Sequence, residues 1–368
     1  MKANAANERV KRDYFQFLKE AHGRDEATID GSAKALARFE ISTGRTPFKR
    51  FHREQAVAFK RKLAEAVNAR TGERLSKATL LATLRELRAF FLWLAREPGF
   101  KSHIAYSDAD YFNLPDKDVA VARARREQRA PTLVQMRAVL AAMPAETVWE
   151  RRDRALVAFA IVTGARVSAL ATFRLGHVDI EGGFVDQDAR AVQTKGAKTF
   201  RTYFMPVDDN AMAIVADWAR ELENEHHWGL DDPLFPATQM SQDECGGFLP
   251  AGLAGNGWAS SEPVRAAFRR AFAAASLPYF NPHSLRTMLV RHAMTLDLSP
   301  EQMKALSQNL GHADVLTTFT SYGSVPTHRQ GELIRALAEK SNGAGDFTPE
   351  HMAALEALVA RIKADGLQ

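Results

Sequence analysis

The 368-residue chain holds one cysteine, Cys245, so an intramolecular disulfide and a multi-cysteine zinc site are both excluded. No apolar run reaches the roughly 18 residues that a membrane span needs, and the Met1-Lys2-Ala3-Asn4 start lacks a signal-peptide core. The expectation is a cytoplasmic protein. HExxH, GxSxG and Walker patterns are absent, as is any cluster of Asp and Glu of the kind that holds two Mg²⁺ ions. Metal-dependent chemistry and cofactors are therefore not expected. Nothing repeats at a fixed period. Hydrophobic residues at 46% and charged residues at 25% match globular usage and exclude a wholly disordered chain.

Charge of one sign is scarce overall, at +5, but unevenly placed. Residues 1–130 hold 27 Lys and Arg against 17 Asp and Glu, leaving 22 against 27 for the remainder. A basic first third joined to a weakly acidic remainder suits a polyanion-binding module attached to a catalytic one. Length alone allows two domains at roughly 100 to 200 residues each.

The first hundred residues read as helices near 9–21, 28–42, 53–70 and 76–96, broken at Thr43-Gly44 and Thr71-Gly72. In the last of them Leu80, Leu84, Leu87, Phe91 and Leu94 form a core-facing stripe, while Lys77, Arg85, Arg88 and Arg96 stay off it. Residues 113–131 lose this periodicity and read as a linker between a helical domain, 1–112, and a second domain, 132–340. There Thr132 and Gln135 have capping-box spacing, and a helix over about 150–162 stops at Thr163-Gly164. From Phe184 to Val207 the pattern reads as strands joined by a tight turn at Lys195-Gly196-Ala197-Lys198. A helix follows at about 209–225. The glycine-rich residues 236–262 read as a long loop, and Ser299-Pro300-Glu301-Gln302 opens a helix that stops at Gly311. Residues 341–368 read as a hinge and an amphipathic helix, free to dock on its own domain or on a neighbouring protomer.

Three segments of the second domain carry separated cations and histidines ahead of a late tyrosine: TGARVSAL at 163–170, HSLR at 283–286 and LGHADVLTTFTSY at 310–322. In order and spacing they resemble the signature boxes of the tyrosine recombinases, or phage integrases, and the resemblance spans about 10–330. It implies a mostly helical α+β fold with a small sheet. A SAM-like helical core-binding domain and a catalytic domain would form a C-shaped clamp on double-stranded DNA.

Carried over position by position, the resemblance makes Tyr322 the nucleophile, leaving a 3′-phosphotyrosine and a free 5′-hydroxyl. The covalent bond retains the cleavage energy, so resealing needs no ATP. Arg166 and Arg286 would hold the non-bridging oxygens of a five-coordinate phosphorus, where a planar guanidinium suits the charge better than a lysine. His283 would act as base or hydrogen-bond partner, since a phenol with a pKa of about 10 is little ionised at neutral pH. Lys195 matches the family's lysine that protonates the leaving 5′-oxygen, with Lys198 as its rival. His312 would complete the phosphate contacts. Lys77, Arg85, Arg88 and Lys198 are candidate DNA contacts. His226, His227 and His292, with Trp218, Trp258 and Cys245, are assigned to packing or to no role.

The chain departs from the family at Ala169, where an acidic residue usually supports the first arginine, and at Thr287, where many members have histidine. Gly323 after the nucleophile fits a tyrosine that must move. The implied activity is site-specific recombination through a Holliday junction, for integration, excision or resolution of DNA of a mobile genetic element. The implied partners are inverted half-sites, a homo-tetramer built as one dimer per site, and an accessory directionality factor. The implied setting is cytoplasmic and nucleoid-associated, and no separate amino-terminal arm-binding domain is expected. Rival readings are a type IB topoisomerase or telomere resolvase, and a non-cutting DNA-binding regulator on the same scaffold.

Overall fold

The computed structural model describes residues 3–69, 71–124, 128–243, 246–312, 315–323, 325–326 and 329–335. The tail expected at 341–368, together with Cys245, lies outside them. The chain divides into two compact units, Met1–Arg126 and Glu127–Gln368. Among the described residues no helix is long and apolar enough to cross a membrane.

The first unit is helical. α1 (Ala5–Gln16) is capped by the Asn4 side chain and runs into a single wide turn at Phe17–Ala21. α2 (Glu26–Ser42) starts at the Asp25 cap, α3 spans Arg53–Glu65, and α4 (Lys77–Leu94) starts at the Ser76 cap. The α4 stripe Leu80, Leu84, Leu87, Phe91 and Leu94 is buried throughout. It packs beside a cluster of rings in which Phe39 meets Phe59, Phe91 and Phe112 edge-on at 5.4, 5.4 and 5.5 Å. α3 stops five residues before the expected end, because Val67 pairs with Arg74 across a turn that needs Gly72 at φ +68°. Within the stretch expected as linker, Asp116–Arg123 forms α5, and Lys77 of α4 binds its Asp118 at 2.8 Å.

The second unit is built around α7 (Val148–Thr163), which is buried without a break from Ala155 to Thr163. A helix apolar on every side belongs in a core. α6 (Leu133–Ala142) opens with the expected Thr132–Gln135 capping box, and α8 (Val167–Leu170) follows α7 after a left-handed turn at Gly164. Then come the antiparallel strands β1 (Val178–Asp179), β2 (Phe184–Gln187) and β3 (Phe200–Tyr203), in the order β1-β2-β3. Twelve residues, 188–199, separate β2 from β3. The tight turn is only their inner part, at Thr194–Ala197, where Gly196 and Ala197 have φ +72° and +50°.

α9 (Asp209–Asn224) is capped by Asp208. The residues read as a long loop contain a hairpin, β4 (Thr238–Gln242) with β5 (Phe248–Leu253). Its side chains are mostly exposed, so no burial alternation marks the strands, and the register shifts at Gln239/Met240 opposite Pro250, which has no N–H for the ladder. The hairpin root is held by a buried charge cluster. Arg152 binds Asp153 at 2.8 Å, the Pro236 carbonyl at 2.8 Å and Thr238 Oγ1 at 2.9 Å, and Arg270 also binds Asp153.

α10 (Glu262–Ala274), α11 (Ser284–Ala293), α12 (Pro300–Asn309) and α13 (Val315–Ser321) complete the unit. α12 opens with the Ser299–Gln302 box and ends at Gly311, whose φ of +69° only glycine adopts freely. A Cβ there would lie 2.5 Å from the Phe200 ring of β3. We expect Gly311→Ala to destabilise the protein by about 1–3 kcal/mol in denaturant unfolding, through strain and overpacking. Gly255→Ala, in a loop where a Cβ meets nothing within 4 Å, should be within ~0.5 kcal/mol of wild type. Equal losses would contradict the close fit at Gly311.

Candidate active site

Tyr322, directly after α13, is 7% exposed. Its ring joins a small apolar cluster with Val290, Ala293, Leu306 and Leu310, which fixes the ring while the hydroxyl reaches the polar side. That hydroxyl lies 3.3 Å from His283 Nε2. The His312 ring stacks on the tyrosine at 5.5 Å and 9°, and His283 meets it edge-on at 5.5 Å. Gly323 answers a steric need: a Cβ would sit 2.8 Å from the Phe319 carbonyl and 3.0 Å from Met294 Sδ.

Arg286 sits under this group, 2% exposed, its guanidinium 5.4 Å from the Tyr322 ring centre. Its Nη1 donates to the Gly164 carbonyl at 2.8 Å, and its Nη2 to the Leu310 carbonyl and to His312 Nε2. Both carbonyls belong to C-cap residues, of α7 and α12, where helices leave acceptors unpaired and the helix dipole is negative. Nε is buried without a partner. Burial, and next the charge of Arg166, bring the guanidinium down to about 10, still cationic at neutral pH.

Arg166 caps α8, and its side chain makes no hydrogen bond or ion pair with the described residues. Ala169, where an acidic support was expected, is fully buried and offers none. Lys195 and Lys198 lie exposed on the 188–199 segment, likewise unpaired among the described residues. That segment is tied to α8 by Ser168 Oγ, donating to the Gln193 carbonyl at 3.0 Å, and to the turn just after α8 by Thr172 Oγ1, accepting from Gln193 N at 3.0 Å.

The histidines feel this field. Burial first, then Arg286, Arg166 and Lys195, hold His283 below the usual imidazole range. Burial, then Arg286, Arg166 and Lys198, bring His312 down to about 4. Both are neutral at pH 7. No carboxylate among the described residues bonds to Arg166, Lys195, Lys198, His283, Arg286, His312 or Tyr322. A cation cluster with no countercharge favours an incoming anion, and the spare N–H groups of two guanidiniums suit the oxygens of a phosphate.

The structure thus brings together Arg166, Lys195, His283, Arg286, His312 and Tyr322. Lys77, Arg85 and Arg88 belong to the other unit and are each paired, with Asp118 at 2.8 Å, Glu86 at 3.4 Å and Asp110 at 2.8 Å. Three supporting residues escaped the sequence reading. Asn309 pairs with the Tyr203 backbone in both directions, at 2.6 and 2.9 Å, joining β3 to the end of α12. Thr318 and Ser307, both fully buried, form a hydroxyl chain to His312. Thr318 falls inside the third quoted segment; nothing local marks the other two. Among the described residues no three His, Cys, Asp or Glu side chains are grouped to hold a metal ion.

The chain is 26% identical over 314 residues to the tyrosine recombinase XerC of Xylella fastidiosa (strain 9a5c), covering 84% of this chain and 90% of that one. XerC of Escherichia coli O127:H6 is 24% identical over 245 residues, 66% and 69% of the two chains. Among solved structures, a lambda integrase(75-356) dimer bound to a COC′ core site aligns with a TM-score of 0.57 at 15% identity, covering 86% and 95%. XerH site-specific recombinase bound to difH aligns at 0.54 and 14% identity, covering 90% and 85%. These likenesses show the fold. Residues 132–328 match the Phage integrase family, and with more than half its length in that match the chain belongs to the phage integrase family of tyrosine recombinases, enzymes that break and rejoin DNA.

Proposed function

We propose that Tyr322 attacks a DNA phosphodiester seated among Arg166, Arg286 and His312. The observation that carries this reading is the Tyr322 hydroxyl, 3.3 Å from the neutral His283 in a cation cluster that, among the described residues, holds no carboxylate. The Tyr322 Oη–phosphorus bond forms and the phosphorus–O5′ bond breaks. The phenolic proton passes to His283 Nε2, and Lys195 supplies a proton to the departing 5′-oxygen. The product is a 3′-phosphotyrosine, and attack by the 5′-hydroxyl of another strand reverses the step.

The tyrosine stands ready beside the base of its own chain, which favours cleavage by each protomer of the strand it holds and speaks against a non-cutting regulator. The partner set we infer is a dimer on inverted half-sites and two dimers at a junction. A lambda integrase tetramer bound to a Holliday junction is among the structures of like fold. A type IB topoisomerase or telomere resolvase would use the same chemistry on one DNA partner.

Incubation with nicked duplexes in EDTA, followed by a denaturing gel, should give a protein-linked DNA band. Tyr322→Phe should bind the same duplex with unchanged affinity and give no band; an equal band from the variant overturns the assignment of the nucleophile.

Arg166→Lys keeps the charge but loses the planar donor set, so single-turnover capture should slow by on the order of 10²–10³. A loss under tenfold would mean that Arg166 acts only as a point charge.

A further inference from the structure

His312 does not stand alone. Its Nδ1 lies 2.8 Å from Thr318 Oγ1 on α13, and Thr318 Oγ1 donates its own proton to Ser307 Oγ on α12 at 2.9 Å. With that proton committed, the Thr318 oxygen can only accept from the imidazole, so Nδ1 carries the ring proton. Nε2 is then bare, consistent with its accepting from Arg286 Nη2 at 3.2 Å. A bare nitrogen repels a phosphate oxygen. Moving the ring proton to Nε2 would set the Nδ1 lone pair against the Thr318 oxygen, or break the Thr318–Ser307 bond where both residues are 0% exposed.

Resting on the reading of Tyr322 and the phosphate site above, we propose that Thr318 is a positioning residue that keeps the His312 proton on Nδ1, so that His312 meets the phosphate only after taking up a second proton at Nε2. The imidazolium then donates in both directions, to Thr318 and to the phosphate, and Arg286 Nη2 exchanges its bond to His312 Nε2 for one to a phosphate oxygen. The free state favours the neutral ring: among the described residues the groups facing it are Arg286 and His283 from α11, Arg166 from the start of α8, Lys198 from the 188–199 segment and Tyr322, with no carboxylate among them. An entering phosphate supplies the missing negative charge and reverses that preference. The proton is drawn from solvent on binding and is available on Nε2 as charge builds on the phosphate oxygens.

Proton uptake makes binding pH-dependent, with affinity falling up to tenfold per pH unit while one proton is linked. The test uses full-length Tyr322→Phe protein, which binds without cutting, and the duplex identified by capture with wild type, at fixed salt. Affinity should fall as pH rises from about 5.5 to 7.5, the linkage sign expected for a group whose proton binds more tightly in the complex. Adding Thr318→Val should flatten that slope, because the neutral Nε2–H form becomes accessible once the acceptor is gone. Thr318→Ser should keep it, and His312→Gln should lower it to whatever His283 alone contributes. Any contribution from His283 is common to all four proteins.

The same slope with Thr318→Val, or no slope in the parent, overturns the proposal. Histidine ¹⁵N spectra of the unbound wild-type protein at pH 7.5 test it without a variant: Nδ1 of His312 should be the protonated nitrogen, and a protonated Nε2 overturns it. Failure of the underlying reading looks different, since wild type would then give no covalent band at all.

Discussion

Arg286 is the constraint on which the second unit turns. Its guanidinium is almost fully buried, and what holds it is two backbone carbonyls at the ends of α7 and α12, with no carboxylate among the described residues bonded to it. Helix C-termini carry only a fraction of a negative charge, enough to make a buried cation tolerable and too little to neutralise it. Burial first, and then this residual positive charge, hold His283 and His312 below the usual imidazole range. A carboxylate in the same place would have filled the site; two carbonyls leave it open for a phosphate.

The surrounding fold positions those carbonyls. Gly164 turns left-handed at the end of α7, and its missing Cβ leaves space 3.0 Å from Leu289 Cδ1 and 3.6 Å from Arg286 Cγ. Gly311 does the same for α12 against Phe200. Asn309 then fastens that helix end to β3, and Ser168 and Thr172 fasten the lysine-bearing segment to α8 and the turn that follows it. These hydrogen bonds link the Arg166, Lys195 and His312 segments to one another. The missing acidic residue at 169 leaves Arg166 unpaired among the described residues, its donors free for the ligand.

What was legible in the sequence was local. The stripe on α4, the capping boxes at Thr132 and Ser299, and the glycine stops at Gly164 and Gly311 are each read from a few adjacent residues, and each is where it was expected. The β4–β5 hairpin was not legible, because its side chains are exposed and a proline interrupts its ladder, so neither periodicity nor propensity marks it. α5 was hidden by an absence of buried residues. In the site, the chemical residues could be named because they stand in the three boxes. Their supports could not, since the Arg286–Gly164 and Thr202–Asn309 bonds span 122 and 107 residues. Ser307, Asn309 and the two carbonyls become meaningful only when the helices are assembled.

The most direct measurement compares the affinities of wild-type and Arg166→Ala protein for two versions of the cleaved duplex, one natural and one with an uncharged methylphosphonate at the cleaved position. If the cation cluster exists to hold that phosphate, removing the phosphate charge and removing Arg166 should each weaken binding, and the double change should cost clearly less than the two losses combined. Fully additive losses would mean that Arg166 and the cleaved phosphate do not meet, and would contradict the site as built here.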